Sequence, residues 1–263
     1  MSIPSEQQHS RALYTLNPTG RFSDRADDYR RFRPSYPAPA IDAILAGLGR
    51  PETLRAADIG AGTGISSRLL ADRGVRVHAV EPNRAMREAA DKHPRVTLVD
   101  GTAEETGLEP QAFDLVLAAQ AFHWFRPEES LREFHRILRP NGRLAVMWNE
   151  RDLTDPLTAV YSDIISRASN RAPEEKWHIR PEELYISQLF STAWELTFVY
   201  EQSLNAEGLV GRAISASYVP NEGDARAAVE RDLRAAHQRF AGPDGTVHLL
   251  YRTILYLSQP IHP

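Results

Sequence analysis

The chain has 263 residues and a net charge of −4. That length suits one large α/β domain with an elaboration, or two modest domains, and the balance lacks the basic excess of a nucleic-acid binder. With no cysteine present, disulfides, thiolate metal sites and thiol nucleophiles are excluded.

The first twenty residues are polar and read as a loose arm without the apolar core of a signal peptide. FSDRADDYRRFRPSYP (22–37) then reads as a charged helix stopped by Pro34 and Pro37. APAIDAILAGLG (38–49) has helical apolar spacing and a terminal glycine.

Strands and helices alternate over the next hundred residues. LRAADIG, VRVHAVE, RVTLVD, FDLVLAA and GRLAVMWNE read as strands, with helices over GISSRLLADRG, NRAMREAADKH and PEESLREFHRIL. This alternation predicts βαβ units and a parallel sheet, and RPNG (139–142) predicts a turn before the fifth strand. Beyond residue 151 the spacing predicts helices over DPLTAVYSDIISRAS, GLVGRAISASY and DARAAVERDLRAAHQRF. Strands are predicted over WELTFVYEQSL and TVHLLYRTILYLS, and residues 170–190 read as a loop or cap. No run is apolar enough to span a membrane. A cytoplasmic protein is expected, with no nucleic-acid or membrane partner and with monomer and homodimer both open.

The most specific local feature is ADIGAGTG (57–64), which leaves a strand and opens a helix. Glycines there allow a tight turn and close approach of backbone to a ligand, and the helix start supplies free N–H groups. A dinucleotide fingerprint needs G-x-G-x-x-G. Here Gly60, Gly62 and Gly64 are spaced G-x-G-x-G and Ile65 holds the third fingerprint position, which suits a ligand without a pyrophosphate. Glu81 ends the second strand, about twenty residues on, where a carboxylate accepts both hydroxyls of a ribose. No histidine pair has metal-ligand spacing, so no metal is expected.

ADIGAGTG, VEPN and GTAEETGLEPQAFDLVLAAQAFHWF resemble the successive motifs of class I S-adenosylmethionine-dependent methyltransferases over roughly residues 54–150. ADDYRRFRPSYP, AAQAFHWF, MWNERD, VGRAISASYVP and YRTILYL resemble more narrowly the small-molecule branch of methyltransferase type 11, trans-aconitate methyltransferase-like proteins. The resemblance implies an α/β, Rossmann-like, doubly wound seven-stranded sheet. It would be mostly parallel, with helices on both faces and a helical cap inserted in the C-terminal part. It divides one structural domain into an N-terminal arm and lid (1–37), a cofactor-binding core (38–150) and a C-terminal completion with substrate cap (151–263).

The implied cofactor is S-adenosylmethionine, with S-adenosylhomocysteine as product. Asp58, Gly60, Ala61, Gly62 and Gly64 would lie against its methionine portion and Glu81 would hold its ribose. Pro82 and Met86 would flank the adenine, and Thr102 and Ala103 would meet the adenine edge. The family usually has an acidic residue where Thr102 stands, and Asp100 is a candidate substitute. Ala119 and Gln120 would turn carbonyls to the amino group, with Tyr29 and Arg33 closing over the site. A guanidinium at Arg33 suits the cofactor carboxylate.

For the acceptor pocket the candidates are Tyr36, Trp124, Trp148, Ser215 and Tyr218, with Phe125 a further apolar wall. Arg212 and Arg252 could meet an anionic acceptor, and read first as surface or salt-bridged arginines. His123 stands after the fourth strand, where ligands bind in open α/β sheets. Three roles are open to it: general base, pocket-lining or hydrogen-bonding group, and structural residue. The expected activity is methyl transfer to a small molecule, with O-methylation of a carboxylate or hydroxyl favoured. A non-catalytic cofactor-binding protein and a methyltransferase acting on a macromolecule are the alternatives.

Overall fold

The computed structural model describes residues 26–169, 187–216, 219–220 and 222–262. In chain order these form α1 (Ala26–Phe32), α2 (Ala38–Leu45), β1 (Arg55–Ile59), α3 (Ile65–Ala71), β2 (Arg76–Val80), α4 (Arg84–Ala89) and β3 (Val96–Val99). Then come β4 (Phe113–Ala119), a 3-10 turn (Phe122–Trp124), α5 (Pro127–Ile137), β5 (Leu138–Arg151) and α6 (Pro156–Ser169). The chain closes with β6 (Trp194–Leu204), α7 (Ala206–Ile214), α8 (Gly223–Phe240) and β7 (Val247–Ser258).

The seven strands form one sheet in the order β3-β2-β1-β4-β5-β7-β6. Strands β1 to β5 run parallel, and β7 pairs antiparallel with both β5 and β6. The expected mostly parallel, doubly wound sheet is present. β4, FDLVLAA, is apolar at nearly every position because helices cover both faces of the sheet around it. On one side Ile41, Ile44 and Leu70 pack against Leu115, Leu117 and Met147. On the other, Phe134 and Ile137 of α5 pack against Val116, Ala118 and Val146. Each of these side chains except Ala118 contributes about 1.5–3 kcal/mol by leaving water. A third cluster joins α6, α7 and α8 to β7, through Tyr161, Leu209, Leu233 and Tyr251.

Two features differ from the sequence-based expectation. RPNG is not a loop before the fifth strand: β5 already begins at Leu138. Phe113 pairs with Leu138 and Leu115 with Arg143, so five steps along β5 face two along β4. The turn-forming residues are absorbed as a bulge within the strand. Arg212 is not a surface arginine. It is buried in α7, and its Nε donates to the Tyr251 hydroxyl at 3.2 Å.

The strand order reverses between β1 and β4, which leaves a crevice at their carboxyl ends. Open α/β sheets bind ligands at such a switch point. Among the described residues, no helix is long and apolar enough to cross a membrane.

Candidate active site

The chain leaves β1 through Gly60, Gly62 and Gly64 at φ of 67°, 57° and 76°, a left-handed path that favours glycine. A Cβ on Gly60 would lie 2.6 Å from the Cβ of Ala121, and one on Gly62 would lie 3.3 Å from the Met86 Cε. Backbone alone can pass there. The loop is tied down by Gly60 N–H and Ala61 N–H, which donate to the Val80 carbonyl at 2.8 and 3.1 Å.

Glu81 follows Val80 directly. Its Oε2 accepts from Gly62 N–H and its Oε1 from Asn83 N–H, both at 2.9 Å. Asn83 caps α4 by accepting from Met86 N–H. Burial raises the Glu81 pKa, and the two backbone donors oppose the rise. A carboxylate has about four lone-pair sites, so Glu81 retains acceptor capacity for hydroxyls on a ligand.

Asp58 lies fully buried at the end of β1. The hydroxyls of Ser66 and Ser67, in the first turn of α3, donate to its Oδ2 at 2.7 and 2.6 Å. Its Oδ1 has no hydrogen-bond partner among the described residues. Desolvation pushes the carboxyl up to about 6 despite the serine bonds, and nearby Glu81 adds to the rise. A buried carboxylate in that condition favours a cationic or hydrogen-bond-donating ligand group beside it.

A small cavity, partly open to solvent, lies at this point. Its lining comes from three places: Gly60, Ala61, Ile65 and Ser66 after β1, Ala119, Gln120 and Asn149 at the ends of β4 and β5, and Tyr29, Arg33, Pro34 and Tyr36 from α1 and the residues after it. Gln120 itself has φ 55°. That strained path is held by its N–H on the Met147 carbonyl at 2.8 Å and by its side-chain amide on the Asn149 carbonyl at 3.1 Å.

The wall formed by α1 and the residues after it is clasped by the C-terminal half of the protein. Gln202 donates to the Phe32 carbonyl at 3.0 Å, Asn149 to the Ser35 carbonyl at 2.8 Å, and Ser35 N–H to the Tyr200 hydroxyl at 3.1 Å. Arg33 Nη2 donates to the Ser215 carbonyl at 3.3 Å, and its guanidinium stacks 4.6 Å from the Tyr29 ring centroid. Phe32 fills a notch at Gly211 in α7, where a Cβ would lie 2.5 Å from the ring.

The QAFHWF segment divides. Phe122 and Phe125 turn into the core; Phe125 packs edge-on against Phe122 and Phe134 and lies beneath Gly60. The expectation that Phe125 walls the acceptor pocket is therefore corrected. His123 sits between two indoles, with ring centroids 5.1 Å from Trp124 and 6.4 Å from Trp148. Trp148 Nε1–H donates to its Nδ1 at 3.3 Å. Part of the imidazole surface is accessible, yet protein atoms surround it closely. This desolvation, together with the positive charge of Arg33, pushes its pKa down to about 4.

The fold thus brings Tyr29, Arg33, Tyr36, Gly60, Ala61, Ala119 and Gln120 to one cavity, and Gly62, next along the loop, lies against Met86 and bonds Glu81. Pro82 is half-buried beside Glu81. Thr102 accepts from Glu105 N–H at 3.1 Å, and Ala103 is buried. Asp100 is held by Arg87 at 2.8 and 3.0 Å. Ser215 is fully buried and spends its hydroxyl on the Arg212 carbonyl at 2.8 Å. Tyr218 lies outside the described residues. Sequence reasoning missed Ile65, Ser66, Ser67 and Asn149. Asn149 stands in the quoted MWNERD, but its reach to Ser35 spans 114 positions and has no local signal.

Residues 57–146 match the methyltransferase domain family. An uncharacterized methyltransferase-like protein of Schizosaccharomyces pombe is 32% identical over 90% of this chain and 94% of its own length. An uncharacterized methyltransferase of Mycobacterium bovis is 33% identical over 85% of this chain and 89% of its own. A solved methyltransferase-named structure from Anaeromyxobacter dehalogenans superposes with a TM-score of 0.62 at 26% identity. That superposition covers 87% of this chain and 98% of that one.

Proposed function

The chain belongs to the class I S-adenosylmethionine-dependent methyltransferases, and we propose that it transfers a methyl group to a small-molecule oxygen acceptor, a carboxylate or a hydroxyl. One observation carries the cofactor half of this reading. The left-handed loop at Gly60, Gly62 and Gly64, which lines the cavity through Gly60 and Ala61, is joined to the Glu81 carboxylate by Gly62 N–H at 2.9 Å.

In this reading Gly60, Ala61, Gly62 and Gly64 lie along the methionine portion of S-adenosylmethionine, above Asp58. Glu81 takes the ribose hydroxyls with its remaining lone pairs. Pro82 and Met86 border the adenine, with Thr102 and Ala103 at its edge. The strained backbone at Gln120 turns its carbonyl and that of Ala119 toward the ammonium, and Arg33 and Tyr29 close over the carboxylate end. The cradle fits the group on two grounds. A side chain at Gly60 has no room, and the free Oδ1 of buried Asp58 favours a donor or cation.

S-adenosylmethionine supplies the activated methyl group when bound. The chain supplies position and exclusion of water. Trp124 has an aromatic face of the kind that attracts a cation, and Tyr36, which lines the cavity, is the acceptor-side candidate; the buried Trp148 and Ser215 act as supports behind it. A small acceptor is supported by the net charge of −4 and by the absence of a basic excess.

Calorimetry with S-adenosylmethionine, followed by transfer of a labelled methyl group to a panel of acceptors, tests the reading. Binding and transfer are expected. Failure to bind would overturn it, and binding without transfer to any acceptor would favour a non-catalytic cofactor-binding protein.

A further inference from the structure

Arg33, Pro34 and Tyr36 line the cavity, with Ser35 between them outside the lining. Ser35 is the point at which this wall is gripped. Its N–H donates to the Tyr200 hydroxyl at 3.1 Å, and its carbonyl accepts from Asn149 Nδ2 at 2.8 Å. Both main-chain groups of one residue are spent on side chains of β6 and β5, where a helix or strand would have paired them with backbone.

The residues after β4 are fastened to the same asparagine. The ladder between β4 and β5 stops at the pair Ala119 and Met147. Gln120 N–H takes the Met147 carbonyl at 2.8 Å, and its side-chain Nε2 takes the Asn149 carbonyl at 3.1 Å, the next on that edge of the strand. The chain turns away from β5 here with Gln120 at φ 55°, and the side-chain bond holds that turn against β5. Asn149 therefore holds one wall through its main chain and the other through its side chain, and itself lines the cavity.

A third residue fixes which end of the Asn149 amide faces Ser35. A carbonyl only accepts, so the NH2 group must face Ser35 and Oδ1 must find a donor elsewhere. That donor is the Thr253 hydroxyl, at 2.6 Å. Thr253 stands directly opposite Asn149 in the pairing of β5 with β7, fully buried and outside the cavity lining. Without that hydroxyl, Oδ1 would lose its donor and the amide its preferred orientation.

We propose that Asn149 is a positioning residue that sets the spacing of two cavity walls, and that Thr253 acts on the site through it. This rests on the methyl-transfer reading above, in which Tyr29, Arg33, Ala119 and Gln120 meet the amino-acid end of S-adenosylmethionine. The effect is confined to that end. Glu81, assigned to the ribose, is held by Gly62 N–H and Asn83 N–H and has no part in the clasp.

The test compares S-adenosylhomocysteine with 5′-methylthioadenosine, which keeps the adenosine and the sulfur and lacks the amino-acid end. Calorimetry is run on the wild type, Thr253→Val and Thr253→Ser. Thr253→Val should weaken S-adenosylhomocysteine about 2–13-fold, the worth of one neutral hydrogen bond, because the wall is in place for less of the time. Methylthioadenosine should bind it as it binds the wild type, and Thr253→Ser should restore both affinities. Asn149→Asp keeps an acceptor for Thr253 and the carbonyl for Gln120 but has no donor for Ser35. It should show the same selective loss, and it carries the test if Thr253→Val does not fold. In the cofactor-free protein the Ser35 amide should exchange with solvent faster in Thr253→Val than in the wild type.

Equal weakening of both ligands, or unchanged S-adenosylhomocysteine affinity in the folded variants, overturns the proposal, as does unchanged exchange at Ser35. Failure of the wild type to bind S-adenosylhomocysteine overturns the methyl-transfer reading instead, and the Ser35 exchange then still decides whether the clasp exists.

Discussion

Asp58→Asn separates the cost of a buried charge from the rest of the site. Asp58 is fully buried, and its carboxyl is pushed from 3.8 to about 6. Because the folded value lies above the unfolded one, the contribution to stability is fully present below pH 3.8 and is lost as pH rises through about 6. Integrating the linkage, the wild type has lost roughly half of a total of about 3 kcal/mol by pH 5 and nearly all of it by pH 8. Asparagine has nearly the same shape, and its carbonyl can still accept from Ser66 and Ser67. Its amide group lies where Oδ1 has no partner, which costs about 1–3 kcal/mol at every pH. The comparison at a single pH is therefore uninformative, and the change with pH decides.

Urea unfolding of both cofactor-free proteins between pH 5 and pH 8 is the assay. The variant should gain on the order of 1 kcal/mol on the wild type across that range. For a urea slope of about 1–3 kcal/mol per molar, this is a relative midpoint shift of about 0.3–1 M. Parallel curves across the range would refute the reasoning, because they would mean that Asp58 does not titrate near 6.

Four further outcomes follow from the same geometry. Gly60→Ala should weaken S-adenosylmethionine binding in calorimetry and destabilise the fold by about 1–3 kcal/mol in urea, because its Cβ would lie 2.6 Å from the Cβ of Ala121. Glu81→Ala should lower cofactor affinity about 10–150-fold with little change in far-ultraviolet circular dichroism. Gly211→Ala should expose α1 to limited proteolysis by evicting Phe32, while global unfolding shifts by under about 1 kcal/mol because alanine favours the α7 helix. Glu133 is buried, which raises its pKa, but bonds from Arg136 and Thr106 overcome this and hold the carboxyl below its ordinary 4.5. Glu133→Gln should therefore destabilise the protein at pH 7, with the gap closing in denaturation measurements as pH falls below 4.5.

Much of this protein was legible in its residue order because the relevant physics is local. Alternating apolar strands and amphipathic helices dictate a parallel sheet, since each element must bury one face against its neighbour. WELTFVYEQSL was read as a strand and is β6 with the same ends. The G-x-G-x-G spacing announced a close backbone approach, because glycine takes those angles without steric cost, and all three glycines are left-handed. Glu81 was visible for the same reason: a loop after β1 and an acid ending the next strand are brought together by pairing adjacent parallel strands.

What tertiary structure alone decided is every contact that crosses the chain. Asn149 reaches Ser35 and Gln202 reaches Phe32 over more than a hundred positions, so the wall that carries Tyr29 and Arg33 is fastened by the far half of the molecule. Phe125 and His123 stand two residues apart in one motif, and the sequence treats them alike as members of an aromatic run. The 3-10 turn sends one beneath the glycine loop and the other against Trp148. The His123 ring meets Trp148 Nε1–H at 3.3 Å, and a ring nitrogen takes its role from the partner that faces it. That partner comes from another strand, and no local pattern names it.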